Sequence, residues 1–377
     1  MNPLDKTNVV FLVRDGFFSD FGGDTFQIKM YCNSLDKCNS LSTKIIEYSE
    51  VRNGDIQCLI NAHLIFIVNL DRFFELIEFK KIIDNLNLCY KLHLISIHHE
   101  IRAIDRFNRK RHLPLNFFYV EKMKNVFRGL RSLSNMFLSL KHLFMSYEVE
   151  VRNILNDVNG IVLIASGEGD VIQKDFKLDI YDKCKVIRNG VPSYYLNIPV
   201  CSWSKKEWDV IVCGRIECRK NQLAIAKQLA NTGVRVLFVG GYNKRNIKYY
   251  KQFLKLVNDN DNLHYIGKVA PEELPNLYAL SKVSYSASWF EVSSLVDLEA
   301  FASGCFVFSS KYGHSNESIP NEYFYTVEPS DIFSSMQPLL QKIDYLKINE
   351  EREVSPREIR TWDDAGSELL EYIKAYV

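Results

Sequence analysis

The chain has 377 residues, of which 47% are hydrophobic and 25% are charged, and its formal net charge is +1. This length predicts two domains of about 150–200 residues each, and the composition excludes a disordered chain. The nearly neutral charge gives no support to nucleic-acid binding. The nine cysteines include no CxxC pair, which favours a reduced cytosolic protein over a disulfide framework or a zinc site.

Short apolar strands alternate with helical stretches in the first half of the chain. The predicted strands cover residues 8–13, 43–49, 63–70, 91–99, 160–166 and 185–190. Helical periodicity is visible over residues 72–83 and over a long stretch from about 118 to 158. No signal peptide precedes the first strand, and the longest apolar run, 58–70, is too short to span a bilayer. We therefore expect a soluble or peripheral protein.

The second half repeats this alternation. Its predicted strands cover residues 208–215, 234–241, 262–268, 282–288 and 305–310, with helices at 220–232, 244–258, 272–281 and 294–303. Strands of this kind, separated by helices, predict parallel sheets covered on both faces, and two such sets predict an α/β protein of two Rossmann-like domains. We expect domains at 1–195 and 196–360. A final helix, 361–377, is expected to return to the first domain after the polar stretch 348–358.

Ligands of open parallel sheets bind at the carboxyl ends of the strands, and two turns of the second half stand there. In CGRIECRKN, Arg215 and Lys220 follow a strand and could bind a diphosphate through charge-assisted hydrogen bonds. The alternative is a pair of solvated surface charges. In GKVAPEEL, the loop at Val269 could offer backbone groups to a nucleobase, although an ordinary strand-to-helix turn has the same pattern.

A third turn, FEVSSLVDLEAFASG, carries Glu291 and Glu299 eight positions apart, with a helix beginning near Ser294. Eight residues would return a helix to nearly the same face. The free amides at Ser294 and Leu295, with the helix dipole, would attract an anion. Carboxylates on either side could accept hydrogen bonds from sugar hydroxyls. The alternative is an acid at the start of the helix and an ordinary exposed glutamate on it. A spacing of eight residues between two glutamates is common by chance.

The first half offers a glycine pair and a histidine pair at strand ends. Gly22 and Gly23 lie between the first strand and the first helix, where a backbone can approach a ligand closely, but GxGxxG is absent. The alternative is a flexible loop and a helix cap. His98 and His99 end another strand, and the sequence does not decide which of them faces a ligand. No third ligand accompanies them at metal spacing, so we expect no metal.

Together these motifs resemble the retaining GT-B glycosyltransferases, in particular glycosyltransferase family 4 (glycosyl transferases group 1). The resemblance covers nearly the whole chain: a glycine-pair loop, a mid-domain histidine, an NGV turn, GR followed by KN, HYIGKV, and the two-glutamate segment running into LEAFASG. The segment departs from the common family form, which has glycines at the positions of Val292 and Ser294. The resemblance implies a GT-B fold, two Rossmann-like domains facing each other across a cleft, with the C-terminal helix on the N-terminal domain.

The resemblance also implies a role for each candidate residue. It implies an N-terminal acceptor-binding domain and a C-terminal domain that binds a nucleotide sugar. The implied roles are diphosphate binding by Gly22, Gly23, Arg215, Lys220, Ser294 and Leu295, nucleoside binding by Val269 and Glu299, and catalysis by His98 or His99 with Glu291. It implies no metal or other cofactor, and retention of configuration at the transferred sugar.

The acceptor is less evident from the sequence. Residues 102–142 hold ten Lys or Arg against two Asp or Glu, interleaved with aromatic and leucine residues. This segment predicts peripheral contact with an anionic membrane carrying a lipid-linked acceptor, or alternatively a solvated helix pair packed on its own domain. We expect a cytoplasmic enzyme of bacterial surface polysaccharide synthesis (O-antigen or capsule). The rival hypotheses are a sugar-nucleotide epimerase of the same fold and a non-catalytic nucleotide-sugar-binding protein.

Overall fold

A computed structural model of the protein describes residues 6–19, 22–111, 113, 115–129, 133–199, 201–348 and 359–377. The strands are β1 (Thr7–Val13), β2 (Leu41–Glu47), β3 (Leu64–Val68), β4 (Leu92–Ile95), β5 (Gly160–Leu163), β6 (Cys184–Val186), β7 (Trp208–Cys213), β8 (Val236–Val239), β9 (Leu263–Tyr265), β10 (Ser281–Tyr285), β11 (Phe306–Ser310) and β12 (Phe324–Val327). The helices are α1 (Gly23–Leu35), α2 (Tyr48–Arg52), α3 (Gln57–Ile60), α4 (Phe73–Asn85), α5 (Ile101–Lys110), α6 (Phe117–Gly129), α7 (Leu133–Leu143), α8 (Tyr147–Asp157), α9 (Ser166–Phe176), α10 (Gln222–Leu229), α11 (Ile247–Asn258), α12 (Leu274–Ala279), α13 (Leu295–Ala302), α14 (Met336–Ile348) and α15 (Trp362–Lys374).

Each half of the chain is built on one six-stranded parallel sheet. The strand order is β2-β1-β3-β4-β5-β6 in the first sheet and β12-β11-β10-β7-β8-β9 in the second. Strands β3, β4 and β5 are buried along their whole length, as expected for strands covered on both faces. The order reverses between β1 and β3 in the first sheet and between β7 and β10 in the second. The predicted α/β class with two Rossmann-like domains is confirmed.

The chain divides into two compact units, which differ slightly from the expected domains. The first unit is Met1–Asn189 with Trp362–Val377, and the second is Gly190–Thr361. We expected the first domain to end at residue 195. Residues from 190 belong to the second unit because the Val191 amide donates to the Arg360 carbonyl at 2.9 Å. In addition, Val191 and Tyr195 pack in an apolar cluster with Leu298 of α13.

The stretch of helical periodicity from about 118 to 158 contains helices α6, α7 and α8. A buried polar cluster joins them: the Tyr147 hydroxyl lies 3.1 Å from Asn125 Nδ2 and 3.2 Å from His142 Nδ1. Helical periodicity alone does not show where such a stretch breaks. Strand β12 and helix α14 were not predicted. Strand β12 gives a weak signal because it is short, lies at the sheet edge and has mostly half-buried or exposed residues.

The last helix, α15, packs against α1 of the first unit, as expected. The Trp362 ring lies edge-on to Phe26 and Tyr31, with ring centroids 5.9 Å apart in each pair. Further along, a Cβ atom on Gly366 would lie 2.0 Å from Ser34 Oγ, so only glycine permits this close helix contact. The expected connection before α15 falls on residues 349–358, which lie outside the described part of the chain.

Candidate functional site

The loops after β7 and β10 diverge from neighbouring strands, at the point where the order of the second sheet reverses. We call this place the β7–β10 edge; it comprises residues 214–221 and 286–295. Gly214 leaves β7 with φ 135°. A Cβ atom on Gly240, which follows β8, would stand 2.3 Å from the Gly214 carbonyl oxygen. The two backbones therefore meet with no room for a side chain on Gly240. The loops lie where ligands of open parallel sheets bind.

Charged side chains connect the two loops of the β7–β10 edge. The Lys220 ammonium forms an ion pair with Oε1 of Glu291, and Arg219 Nη1 lies 3.2 Å from the same oxygen. Arg219 also donates to the Phe290 carbonyl at 3.1 Å, and its Nη2 lies 3.4 Å from Glu217. Glu291 is only 13% exposed. The predicted residues Lys220 and Glu291 are thus in direct contact, with two cations sharing one half-buried carboxylate.

Arg219 was missed by the sequence analysis, although it stands beside Lys220. The predicted partner, Arg215, is placed differently: its side chain is exposed and makes no hydrogen bond or ion pair with any residue that the structure describes. The Arg215 carbonyl oxygen, in contrast, accepts a hydrogen bond from Gln222 Nε2 at 2.8 Å. Arg215 and Lys220 therefore differ in their surroundings, one solvated and the other held by Glu291.

Helix α13 begins at Leu295, with Ser294 as its N-cap, and this start corrects two expectations. First, the Ser294 amide is already engaged, because it donates to Ser315 Oγ at 3.3 Å. The Leu295 amide belongs to the first turn, where N–H groups have no partner within the helix. Second, Glu291 precedes the helix by four residues, so the argument that eight residues return to one helix face does not apply to Glu291 and Glu299.

A buried carboxylate lies in the first turn of α13, where the sequence analysis assigned no role. Asp297 Oδ2 accepts hydrogen bonds from Ser309 Oγ and from Ser315 Oγ, the second at 2.8 Å. Asp297 Oδ1 is buried with no hydrogen-bond partner among the described residues. Burial raises the pKa of Asp297 to about 6. Asp297 therefore holds Ser315, whose Oγ accepts the hydrogen bond from the Ser294 amide.

Glu299 lies on α13, in surroundings different from those of Glu291. Burial raises the pKa of its carboxyl to about 8, and Tyr195 packs in the apolar cluster that includes the two neighbours of Glu299. Val269, in the loop after β9, packs on the apolar cluster that includes Leu298 and Ala300, the two neighbours of Glu299. The structure therefore brings Val269 to the helix that carries Glu299. Tyr195 was not singled out from the sequence because it is 104 residues away from Glu299 in the chain.

In the first unit, the glycine pair stands at the start of α1. Gly22 is the N-cap and Gly23 the first helical residue, and a Cβ atom on Gly23 would meet nothing within 4 Å. The two residues before Gly22 lie outside the described ranges. The loop leaving β1 is closed by Arg14, whose Nε lies 3.2 Å from Asp24 Oδ2. Gly23 thus offers open space beside a helix N-terminus.

The two predicted histidines have different environments. The His98 side chain is fully buried, with Nδ1 2.6 Å from Asp71 Oδ1 and Nε2 3.1 Å from Asp175 Oδ2. Burial by itself lowers its pKa, but Asp71 and Asp175 more than offset this and raise the pKa to about 9. His99 is 23% exposed, and its Nδ1 lies 2.7 Å from Asp71 Oδ2. His99 is therefore the accessible member of the pair.

Two of the acids around His98 come from α9, far along the chain. Glu168 accepts hydrogen bonds from the His98 amide at 2.7 Å, from Ser96 Oγ at 2.6 Å and from the Ile164 amide at 2.8 Å. Burial raises the pKa of Glu168. No local sequence signal connects Glu168, Asp175 or Asp71 to His98.

Among the described residues, no group of three His, Cys, Asp or Glu side chains is arranged to hold a metal ion.

Comparisons with known proteins agree with this architecture. Residues 198–358 match the model of the family "Glycosyl transferases group 1", whereas no curated protein sequence matches the chain. Similar solved structures include sucrose-phosphate synthase from Thermosynechococcus elongatus (14% identity, 98% of this chain and 99% of that chain, TM-score 0.65). HepE from Anabaena in complex with UDP is another (13%, 98% and 100%, TM-score 0.62). A third is the catalytic domain of starch synthase IV from Arabidopsis thaliana bound to ADP and acarbose (11%, 98% and 99%, TM-score 0.65).

At such low identities these likenesses establish the fold, which is the predicted GT-B fold. The family match falls within the second unit, Gly190–Thr361, and includes the whole β7–β10 edge. Residues 198–358 are thus similar to the glycosyl transferases group 1 family.

Proposed function

We propose that this protein is a glycosyltransferase that moves a sugar from a nucleotide-diphosphate sugar to a saccharide or lipid-linked saccharide, with retention of configuration. The observation that carries the proposal is the contact of Lys220 and Arg219 with Glu291 at the β7–β10 edge. The family match of residues 198–358 supports it. So do proteins of the same fold: HepE from Anabaena has been solved in complex with UDP-glucose.

In this proposal, the cations at the β7–β10 edge stabilise the leaving diphosphate. Negative charge grows on the diphosphate as the sugar–phosphate bond breaks, and fixed donors aimed at that charge lower the barrier. Lys220, Arg219 and the exposed Arg215 would supply the positive charge, with the Leu295 amide at the start of α13. Glu291 would exchange its contact with Lys220 for a hydroxyl of the transferred sugar.

The remaining candidates take the roles that the resemblance implies. The loop at Val269 would contact the nucleobase, and Glu299 would bind the ribose. In the first unit, Gly22 and Gly23 would contact the donor, and His99 would stand near the reacting sugar. The displacement would take place on one face of the sugar and need no metal, which assays with and without EDTA would test.

The acceptor side of the proposal is supported by a surface that we call the α6–α7 face. It consists of side chains of α6, α7 and the following turn, all of them exposed: Lys124, Phe127, Arg128, Phe137, Leu140, Lys141 and Phe144. Residues 137, 140, 141 and 144 follow helical spacing, so they share one side of α7 and its end. Aromatic side chains among cations are suited to the interface of an anionic membrane.

We further propose that the enzyme acts at the cytoplasmic face of a bacterial membrane, in the synthesis of a surface polysaccharide such as O-antigen or capsule. No helix within the described ranges is long and apolar enough to cross a membrane. Contact through the α6–α7 face would bring the enzyme to a lipid-linked acceptor without a spanning segment.

The proposed transferase activity is tested by a thermal-shift screen of UDP, GDP and ADP sugars, followed by NMR of the products. Binding of one donor and formation of a glycoside that keeps the donor's anomeric configuration are expected. Conversion of the donor to its epimer in the absence of any acceptor would favour the epimerase. Donor binding without turnover, with every acceptor tried, would favour a binding protein.

A further inference from the structure

Asp71 lies between two histidines and touches both. Its Oδ1 is 2.6 Å from His98 Nδ1, and its Oδ2 is 2.7 Å from His99 Nδ1. Oδ2 also accepts a hydrogen bond from the His99 amide, at 3.1 Å. Asp71 stands in the loop after β3, and the histidines follow β4, so the contact joins the ends of two neighbouring strands. One carboxylate therefore fixes the ring and the backbone of His99.

His98 holds Asp71 in place. Its second ring nitrogen faces Asp175, which also accepts the Ile101 amide at 2.9 Å at the start of α5, and its own amide is held by Glu168. Asp71, Asp175 and Glu168 are the acids that face His98. Because the pKa of His98 is raised to about 9, its ring is a cation at neutral pH. A buried cation with both nitrogens engaged is a structural element, whereas the His99 side chain is 23% exposed.

Asp71 is consequently ionised and oriented. Burial opposes ionisation, but His98 and His99 together hold the pKa of Asp71 well below its ordinary value. In a neutral imidazole, one nitrogen donates and the other accepts. A nitrogen that faces a carboxylate carries the proton, so Asp71 selects the form of His99 with hydrogen on Nδ1 and the lone pair on Nε2.

The backbone around this contact has an unusual conformation. Ile97, just before His98, has φ 45°, and Asn69, just after β3, has φ 77°. A β-branched residue with positive φ is strained and persists only where its surroundings hold it. Asn69 Oδ1 accepts a hydrogen bond from the Asp71 amide at 3.1 Å. Ile97 and Asn69 thus lie within two residues of the groups that make the contact.

We propose that Asp71 is a positioning residue that, held by His98, keeps His99 in the Nδ1–H form with Nε2 as the nitrogen that accepts a hydrogen bond or a proton. The ligand group suited to Nε2 is a hydroxyl donor, such as that of a sugar. This last step rests on the proposed function, while the state of the His99 ring does not.

The test is long-range ¹H–¹⁵N NMR of the full chain with ¹⁵N-labelled histidine, of which the protein has 8 residues. The variants His98→Gln and His99→Gln assign the signals. At pH 7.5 we expect His98 to be protonated on both nitrogens. For His99 we expect the tautomer with hydrogen on Nδ1 to exceed the tautomer with hydrogen on Nε2 by at least about tenfold, the worth of a hydrogen bond to a charged group. A His99 ring that carries its hydrogen mainly on Nε2 would overturn the proposal.

Two further variants separate positioning from folding. Asp71→Asn should reduce the preference of His99 toward that of free histidine, and Asp71→Glu should restore most of it if the folded structure is kept. Asp175→Asn is the matched control: it removes a carboxylate from His98 but none from His99, so only the His98 signals should move. Unchanged His99 shifts in Asp71→Asn, or equal changes in both Asn variants, would contradict the assignment. Because no substrate is present, a failure of the transferase hypothesis would leave this result intact.

Discussion

The Lys220 ammonium and the Glu291 carboxylate form an ion pair across 71 positions of the chain. Lys220 follows β7 and Glu291 follows β10, so they meet because these strands are neighbours where the order of the second sheet reverses. Lys220 is 18% exposed and Glu291 13%. An anion arriving at Lys220 must therefore compete with a carboxylate that is already in place.

Replacing Lys220 tests the proposed diphosphate contact. Lys220→Ala should weaken the binding of UDP, GDP or ADP, whichever the protein binds, by about 2 kcal/mol, the worth of one charge-assisted hydrogen bond. Isothermal titration calorimetry measures this directly. Lys227→Ala, which removes an exposed lysine of α10, is the control and should bind normally. Equal affinity of the Lys220 variant and the wild type would remove Lys220 from the site.

Glu291→Gln should affect turnover and nucleotide binding in different ways. Without the carboxylate, Lys220 and Arg219 lose a competitor, so affinity for the bare nucleoside diphosphate should be kept or increase. Turnover should fall on the order of 100-fold, as for other groups that act on the reacting sugar or its charge. Steady-state kinetics and calorimetry on the same sample separate the effects. Glu322→Gln, at an exposed position, serves as control; a parallel loss of binding and turnover would give Glu291 another role.

Two carboxyls of α13 should make the protein less stable as the pH rises. Burial raises the pKa of Asp297 to about 6 and that of Glu299 to about 8. The folded protein therefore keeps protons that the unfolded chain releases above about pH 4, so each group lowers the free energy of unfolding as pH rises toward its folded pKa. We expect the melting temperature to fall by several degrees between pH 5 and 8 through these groups.

Variants assign the two parts of this pH dependence. Glu299→Gln should flatten the curve of melting temperature against pH from about pH 5 to 8. Asp297→Asn should flatten it only below about pH 6, because its folded pKa is lower. Differential scanning calorimetry at a series of pH values distinguishes them. If Glu299→Gln left the slope above pH 6 unchanged, the Glu299 carboxyl would be ionised in the folded protein.

Gly160→Ala should destabilise the first unit through its contact with the last helix. A Cβ atom there would lie 2.0 Å from the Tyr372 hydroxyl and 2.8 Å from His93 Nδ1, atoms that are themselves 2.7 Å apart in a buried hydrogen bond. Overpacking of this kind costs about 1–3 kcal/mol. Urea unfolding measures the loss, and Gly23→Ala, whose Cβ would meet open space, should be tolerated. Full stability of Gly160→Ala would show that α15 packs differently.

The α6–α7 face should bind anionic vesicles. Replacing Phe127, Phe137 or Phe144 by Ser should weaken binding to phosphatidylglycerol vesicles, on the order of tenfold each, because an apolar ring leaves the interface. Vesicle flotation at low and high salt measures the apolar and electrostatic parts. Phe333→Ser, at a 73% exposed position of the second unit, is the control. Equal binding of all four variants, or none by the wild type, would contradict membrane contact.

The two-sheet α/β fold follows from the amino-acid sequence alone, because apolar strands of parallel sheets and amphipathic helices carry their periodicity locally. The sequence also identified Lys220 and Glu291 as candidates, because both follow strand ends. It missed β12, a short edge strand, and it did not locate the ends of α6, α7 and α8, because helical periodicity does not show where a helix stops.

The partners of the candidate residues, in contrast, are known only from the folded structure. His98 and His99 are indistinguishable in the sequence, but Asp71 and Asp175, 27 and 77 positions from His98, bury one ring and leave the other accessible. Likewise, the Ser294 amide donates a hydrogen bond to Ser315 Oγ, which lies 21 positions further along the chain. The physical reason is that a hydrogen bond depends on distance in space, and strand order brings together residues whose separation along the chain carries no signal.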